Sequence, residues 1–172
     1  MLLITLATML PACRQEISPS SEDKLHRTRI DSILSKQNDV ESLQRIRQDY
    51  RKANDAVGEM LTLKRMGVVY REQNKFIEAI DAHTAGFDIA NSIADTREMI
   101  QHLNNIGTNY RRMSMMHDAS TFHYKALTLC DKYSDTTSIV NRKNKVVSLN
   151  GIGNISLRLD DYATADSVFR LA

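Results

Sequence analysis

The sequence predicts an all-α protein built from paired helices. Three observations carry that expectation. Of the 172 residues only Pro11 and Pro19 are proline, so residues 20–172 contain none. Turn-rich β folds punctuate their chains with proline and glycine, whereas a long proline-free run favours helices. Beyond Ser20, apolar residues recur every three or four positions, the stripe of amphipathic helices. Three segments then repeat one another in their leucine, glycine and alanine positions. A hydrophobic share of 42% is enough for a core and excludes wholesale disorder. With 23 basic and 21 acidic residues the net charge is only +2, so no overall field points to nucleic acid or an anionic membrane. The two cysteines cannot build a disulfide framework.

The elements follow in chain order. Residues 1–13, MLLITLATMLPAC, carry no charge. They are too short to span a bilayer as a helix, which takes about 20 residues, but they suit the apolar core of a signal peptide. Leu10-Pro11-Ala12-Cys13 resembles a bacterial lipobox. That resemblance implies lipidation of Cys13 and a membrane-anchored lipoprotein of the cell envelope. No Lys or Arg precedes the apolar run, and a start upstream of Met1 would supply one. The alternative is a buried apolar strand or helix start. Residues 14–20, RQEISPS, read as a polar tether.

Residues 21–58 are expected to form an N-terminal helix pair, a degenerate repeat. Its first helix carries Leu25, Ile30, Ile33 and Leu34. Its second carries Val40, Leu43, Ile46, Tyr50 and Ala53, with Asn38-Asp39 supplying N-cap chemistry.

Residues 59–172 hold three units, about 59–94, 95–138 and 139–172. Leu63, Gly67, Tyr70, Ala79 and His83 align with Leu103, Gly107, Tyr110, Ala119 and His123, and with Leu149, Gly153, Ser156, Ala165 and Phe169. Glycine to alanine is 12 residues each time, and a second small residue (Gly86, Ala126, Ala172) follows at 19. The glycines are 40 and then 46 residues apart. A glycine inside a helix costs about 1 kcal/mol against alanine, so its repetition predicts a packing reason: a second helix passing too close for a Cβ. Asn74, Ser114 and Asp160 lie seven residues beyond the glycines and are expected to be the N-caps of the second helices.

This pattern resembles the tetratricopeptide repeat (TPR) family over about residues 59–172. The resemblance implies a right-handed α-solenoid of antiparallel helix pairs. Histidines replace the family aromatic in two units, and the spacings exceed its usual 34 residues. The excess is expected either in longer helices or in the link around 132–139. No polar cap follows Ala172, which predicts either a further repeat or a truncated array.

In the family, first helices line a groove that takes a peptide. The resemblance places Lys64, Arg65, Val68 and Arg71 there from the first unit. The second gives Gln101, Asn104, Asn105, Thr108, Arg111 and Arg112, and the third Asn150, Asn154 and Arg158. Asparagine can pair with an extended backbone and arginine grips carboxylates, so a protein or peptide partner with acidic groups fits. A solvated polar face is the alternative. Lys64 and Asn105 match the carboxylate clamp of chaperone-binding members, but Val68 stands where asparagine is expected, so no chaperone partner is inferred.

No pattern of residues makes a catalytic site or calls for a cofactor. His83 and His123 read as packing in place of an aromatic rather than as metal ligands. Cys130, on a helix with Leu127 and Leu129, reads as a core thiol, and the methionines mostly as core filling. Arg111-Arg112 and residues 142–145 (RKNK) lack the charge excess or aromatic platform of a nucleic-acid surface. The expectation is a non-catalytic binding scaffold in the bacterial envelope; the alternative is the sensory TPR fragment of a signal-transduction regulator.

Overall fold

The computed structural model describes residues 20–133 and 139–172. Those residues form eight helices and no strand: α1 (Ser21–Leu34), α2 (Val40–Lys52), α3 (Ala56–Glu72), α4 (Phe76–Ser92), α5 (Thr96–Arg112), α6 (Met116–Tyr133), α7 (Ile139–Arg158) and α8 (Tyr162–Leu171). The chain is all-α, as the proline pattern predicts. Cys13 and the lipobox segment lie outside the described residues. Among the described residues no helix is long and apolar enough to cross a membrane.

The turns explain the repeat length. α3, α4 and α5 are each 17 residues long. Three residues join α2 to α3, α3 to α4, α4 to α5, α5 to α6 and α7 to α8. The middle residue of each turn is left-handed: Asn54 (φ 55°), Asn74 (60°), Ala94 (57°), Ser114 (62°) and Asp160 (58°). Around each, two crossed backbone bonds close the helix end. Asn74 donates to the Arg71 carbonyl at 3.0 Å and Lys75 to the Tyr70 carbonyl at 2.9 Å; the other four turns repeat that pattern. Two 17-residue helices with two such turns account for the 40-residue spacing. In the 46-residue spacing α6 and α7 lengthen to 18 and 20 residues, and residues 134–138 of the link lie outside the described residues.

This corrects the expected caps. Asn74, Ser114 and Asp160 end the preceding helix rather than start the next one, because a left-handed residue is needed to turn the chain and asparagine and aspartate tolerate it. N-capping falls one residue later. Asp55, Asp95 and Asp161 accept from the amides of Gly58, Glu98 and Thr164, while Lys75 makes no side-chain cap bond. Asp39 caps α2 through the Ser42 amide, as expected. Ser20, read with the tether, forms a capping box with Asp23 at the start of α1.

The helical glycines serve as seats for rings. A Cβ on Gly67 would stand 2.4 Å from Nε2 of His83, and one on Gly86 2.2 Å from Cε1 of His102. His123 fills the notches of both Gly107 and Gly151, Phe169 that of Gly153, and Tyr50 that of Gly58. The expectation of a close packing reason at Gly67, Gly107 and Gly153 is met in a particular form: a planar side chain, rather than the backbone of the second helix, fills most of the space. The same device extends to the other three glycines. Ala79 and Ala119 are fully buried, and the Ala119 carbonyl lies 3.1 Å from where a Gly107 Cβ would be.

Packing is sequential. From α2 onward the heaviest contacts join consecutive helices, and α7 also packs on α5. One aliphatic cluster joins α1 to α4 through Ile30, Leu34, Leu43, Met60 and Leu63. α1 departs from the expected pairing with α2, because its main neighbour is α3. Cys130 is buried beside Ile100 and Leu103. Burial pushes its thiol up to about 11, so it is an inert core group. Met60 and Met66 are buried, whereas Met115 is exposed.

Candidate functional site

The first-helix residues expected to line a groove separate into three sets. The first set is bound up near the N-terminal halves of α3 and α5. Lys64 Nζ donates to Glu98 Oε2 at 2.8 Å and to Gln101 Oε1 at 3.2 Å. Glu98 is almost fully buried and also lies 3.8 Å from Arg27 of α1 and 3.6 Å from Arg97. Arg65 donates through Nε to the Gln37 carbonyl at 2.8 Å, and its Nη2 reaches Asn38. Lys64 and Arg65 therefore tie neighbouring elements to α3. Glu59, one turn into α3, is held the same way. Burial alone would raise its carboxyl, but hydrogen bonds from Arg51 and Arg47 outweigh that and hold it below the usual range.

The second set is structural. Asn104 is buried, with only 4% of its surface exposed, so it is not open to a ligand. Its Oδ1 accepts from His123 Nδ1 at 2.9 Å, which places the proton of that imidazole on Nδ1. Its Nδ2 donates to Ser148 Oγ at 3.0 Å, and Ser148 donates on to the Asn144 carbonyl at 3.1 Å. The network joins α5, α6 and α7. Thr108 bonds back to the Asn104 carbonyl at 2.9 Å. Burial keeps His123 neutral, lowering it to about 4, with Arg111 adding to the effect.

A buried imidazole pair is not legible in the sequence. His83 and His102 meet Nδ1 to Nδ1 at 3.3 Å, edge to face, so one nitrogen donates and the other accepts. Burial depresses both, His102 to about 3 and His83 well below its ordinary value; Lys64 reinforces the effect on each. His102 sits on α5 opposite Gly86, so the one signal for it was that glycine, which the repeat alignment treats only as a small residue. Among the described residues no three His, Cys, Asp or Glu groups converge as a metal site.

The third set stays open. Arg71, Arg111, Arg112 and Arg158 occupy the last turns of α3, α5 and α7. The C-terminal end of a helix favours cations, which helps to explain why they gather there. None forms an ion pair with a carboxylate among the described residues. Burial lowers Arg111, and Arg112 and Arg158 lower it further; burial also lowers Arg71, where the pull of Glu72 works the other way and outweighs the smaller push of Arg112. The four guanidiniums thus feel one another. Arg71 Nη1 donates to Asn105 Oδ1 at 2.9 Å, and the Nε of Arg111 is buried without a partner. Asn150 and Asn154 are exposed on α7, joined by a bond from Asn154 Nδ2 to the Asn150 carbonyl at 2.7 Å.

Two clefts open on the other side of the molecule. One of about 820 Å³ lies between α4 and α6, with Met99, Leu103 and Ile106 of α5 as its floor. The other, of about 550 Å³, lies between α2 and α4 over Leu63, Met66 and Tyr70 of α3. Leu103 and Ile106 of the first floor are the repeat equivalents of Leu63 and Met66 of the second. In comparisons with known proteins, no family model and no curated protein matches the chain.

Proposed function

We propose that this chain is a non-catalytic binding module of the TPR type, which takes an acidic peptide or flexible protein segment on the face formed by α3, α5 and α7. The observation that carries the reading is the group of four arginines on three successive first helices, none of them in an ion pair with a carboxylate among the described residues. Guanidinium forks grip carboxylates with two parallel bonds, and a partly desolvated arginine gains more from doing so. The 20-residue spacing of the turns at Asn54, Asn74, Ala94 and Ser114, together with the ring-in-glycine packing, supports the helix-pair array that the reading assumes. The ligand would meet Arg71, Arg111, Arg112 and Arg158, with Asn150 and Asn154 beside them. Asn104, Lys64 and Arg65 belong to the scaffold instead. The envelope location belongs to the same proposal and rests on the lipobox alone: Cys13→Ser should release the protein from membranes, and unchanged membrane fractionation would reject the anchor.

The binding test uses a labelled hexaglutamate peptide, with hexaglutamine as the neutral control. Anisotropy should report binding of the acidic peptide only, weakening as salt rises. Arg112→Gln with Arg158→Gln should reduce the affinity about tenfold or more, since each charge-assisted contact contributes about 1.5 kcal/mol or more. Equal binding of both peptides, or indifference to the double variant, would reject the arginine face.

A further inference from the structure

The protein's own first helix lies against the N-terminal parts of α3 and α5. His26 Nε2 meets Oδ2 of Asp55, the N-cap of α3, at 2.8 Å, and further along the Gln37 carbonyl accepts from Arg65 at 2.8 Å. α1 and the link after it therefore run beside α3 in the same direction. A helix stacked only on its neighbour would reach no further than α3. α1 does reach further: Arg27 pairs with Asp95, the N-cap of α5, and stands 3.8 Å from the buried Glu98 that Lys64 also holds. α1 thus lies across the seam between α3 and α5, on the side of Lys64 and Arg65.

Its hold there is slight. Only Ile30 and Leu34 of its residues are buried, while Leu25 and Ile33 are about half exposed. It is not packed along α2, so its place depends on those two side chains and the Arg27 and His26 contacts. The seat also has bonds that do not involve α1. Glu98 keeps Lys64, and both Asp55 and Asp95 keep their capping bonds. What the seat then lacks is a cation for Asp95 and an aliphatic pair for the exposed side of α3.

We propose that α1 is an intramolecular cover occupying the seat of a partner helix, one that carries an arginine followed by aliphatic residues three and seven positions later, as Arg27, Ile30 and Leu34 do. This rests on reading the α3–α5–α7 face as the ligand face. Charge complementarity selects the occupant: the part-buried Asp95 beside the buried Glu98 favours a helix with a guanidinium at that position over an uncharged or acidic one. Release of α1 frees the seam for that helix and lengthens the open face beyond the arginine end.

The experiment uses the full chain, with a synthetic peptide of residues 20–36 as the probe. Hydrogen exchange read by mass spectrometry should show α1 amides exchanging at least about a hundredfold faster than those of α3 to α5 in the unmodified chain, through local opening. Arg27→Glu, or the milder Arg27→Gln, should speed exchange in α1 about tenfold further and leave α3 to α5 unchanged. The peptide should bind the Arg27→Glu chain at least about tenfold more tightly than the unmodified chain, where α1 competes. Exchange of α1 in step with α3 to α5, or equal peptide binding by the two chains, would overturn the cover. Hexaglutamate binding measured on the same samples separates the two readings, because its absence alongside the predicted α1 behaviour counts against the acidic ligand alone.

Discussion

Lowering the pH from 7.5 to 5 should cost this fold about 4 kcal/mol through two buried imidazoles alone. His102 and His123 titrate near 6.5 in the unfolded chain, but burial holds them at about 3 and about 4 in the fold. Below 6.5 the unfolded chain therefore binds more protons than the native one. Their full stabilisation is present above that pH and is lost progressively as pH falls toward the folded values. Each pH unit below 6.5 costs about 1.4 kcal/mol per imidazole, so at pH 5 the two together cost about 4 kcal/mol. His83, depressed in the same direction, adds to the loss. The positive groups near these rings, Lys64, Arg71 and Arg111, oppose protonation, and only Asp95 near His102 favours it. Carboxylates held low, such as Glu59, lose their contribution at more acidic pH, so the interval from 6.5 to 5 belongs mainly to the histidines. Against a typical domain stability of about 5–15 kcal/mol the loss is large. Urea unfolding followed by circular dichroism at several pH values measures it. His123→Phe, which copies the ring that Phe169 places in the equivalent seat, should remove about 1.4 kcal/mol per pH unit from the slope. A stability that changes by less than about 1 kcal/mol across the interval would refute the reasoning, since the rings would then be hydrated or free to leave their seats.

Three further predictions concern the scaffold and are read by urea or thermal unfolding at pH 7.5. Gly67→Ala should destabilise by about 1–3 kcal/mol despite alanine's better helix propensity, because its Cβ would meet the His83 ring; a stabilised variant would show that the ring can move aside. Ala94→Gly should stabilise by about 1 kcal/mol, since alanine is strained at φ 57° and glycine is not; no gain would mean that the turn relaxes. Asn104→Ala should cost about 2–3 kcal/mol by leaving His123 Nδ1 and Ser148 without their partner, and a near-neutral result would show that water replaces the amide.

Much of the architecture was legible because it depends on local rules. Asp39 caps its helix with its own side chain, and Gly67, Gly107 and Gly153 mark seats by lacking a Cβ. The turn residues are visible too, but Asn74, Ser114 and Asp160 close the helix before the turn instead of starting the one after it. Asparagine and serine suit an N-cap, and only the backbone angle reveals the left-handed residue that closes the helix before it.

The site was less legible because side-chain partners lie in other elements. Asn104 and Arg111 share one face of α5 and look alike as polar groove residues. The ring of His123 and the hydroxyl of Ser148 draw Asn104 into the interior, while Arg111 keeps no carboxylate partner. Lys64 and Arg65 look free until Glu98, Gln37 and Asn38 are brought to them across 27 residues or more of chain.

By itself the sequence determined that the chain is helical, where its helices start and stop to within a turn, and that its units repeat, because periodicity, capping and the missing Cβ act within a few residues. Only the tertiary structure decided which polar residues stay open and which are spent holding helices together. It also decided that α1 leaves α2 to lie on α3 and α5. Those outcomes depend on charges and rings contributed from distant parts of the chain, which no local pattern encodes.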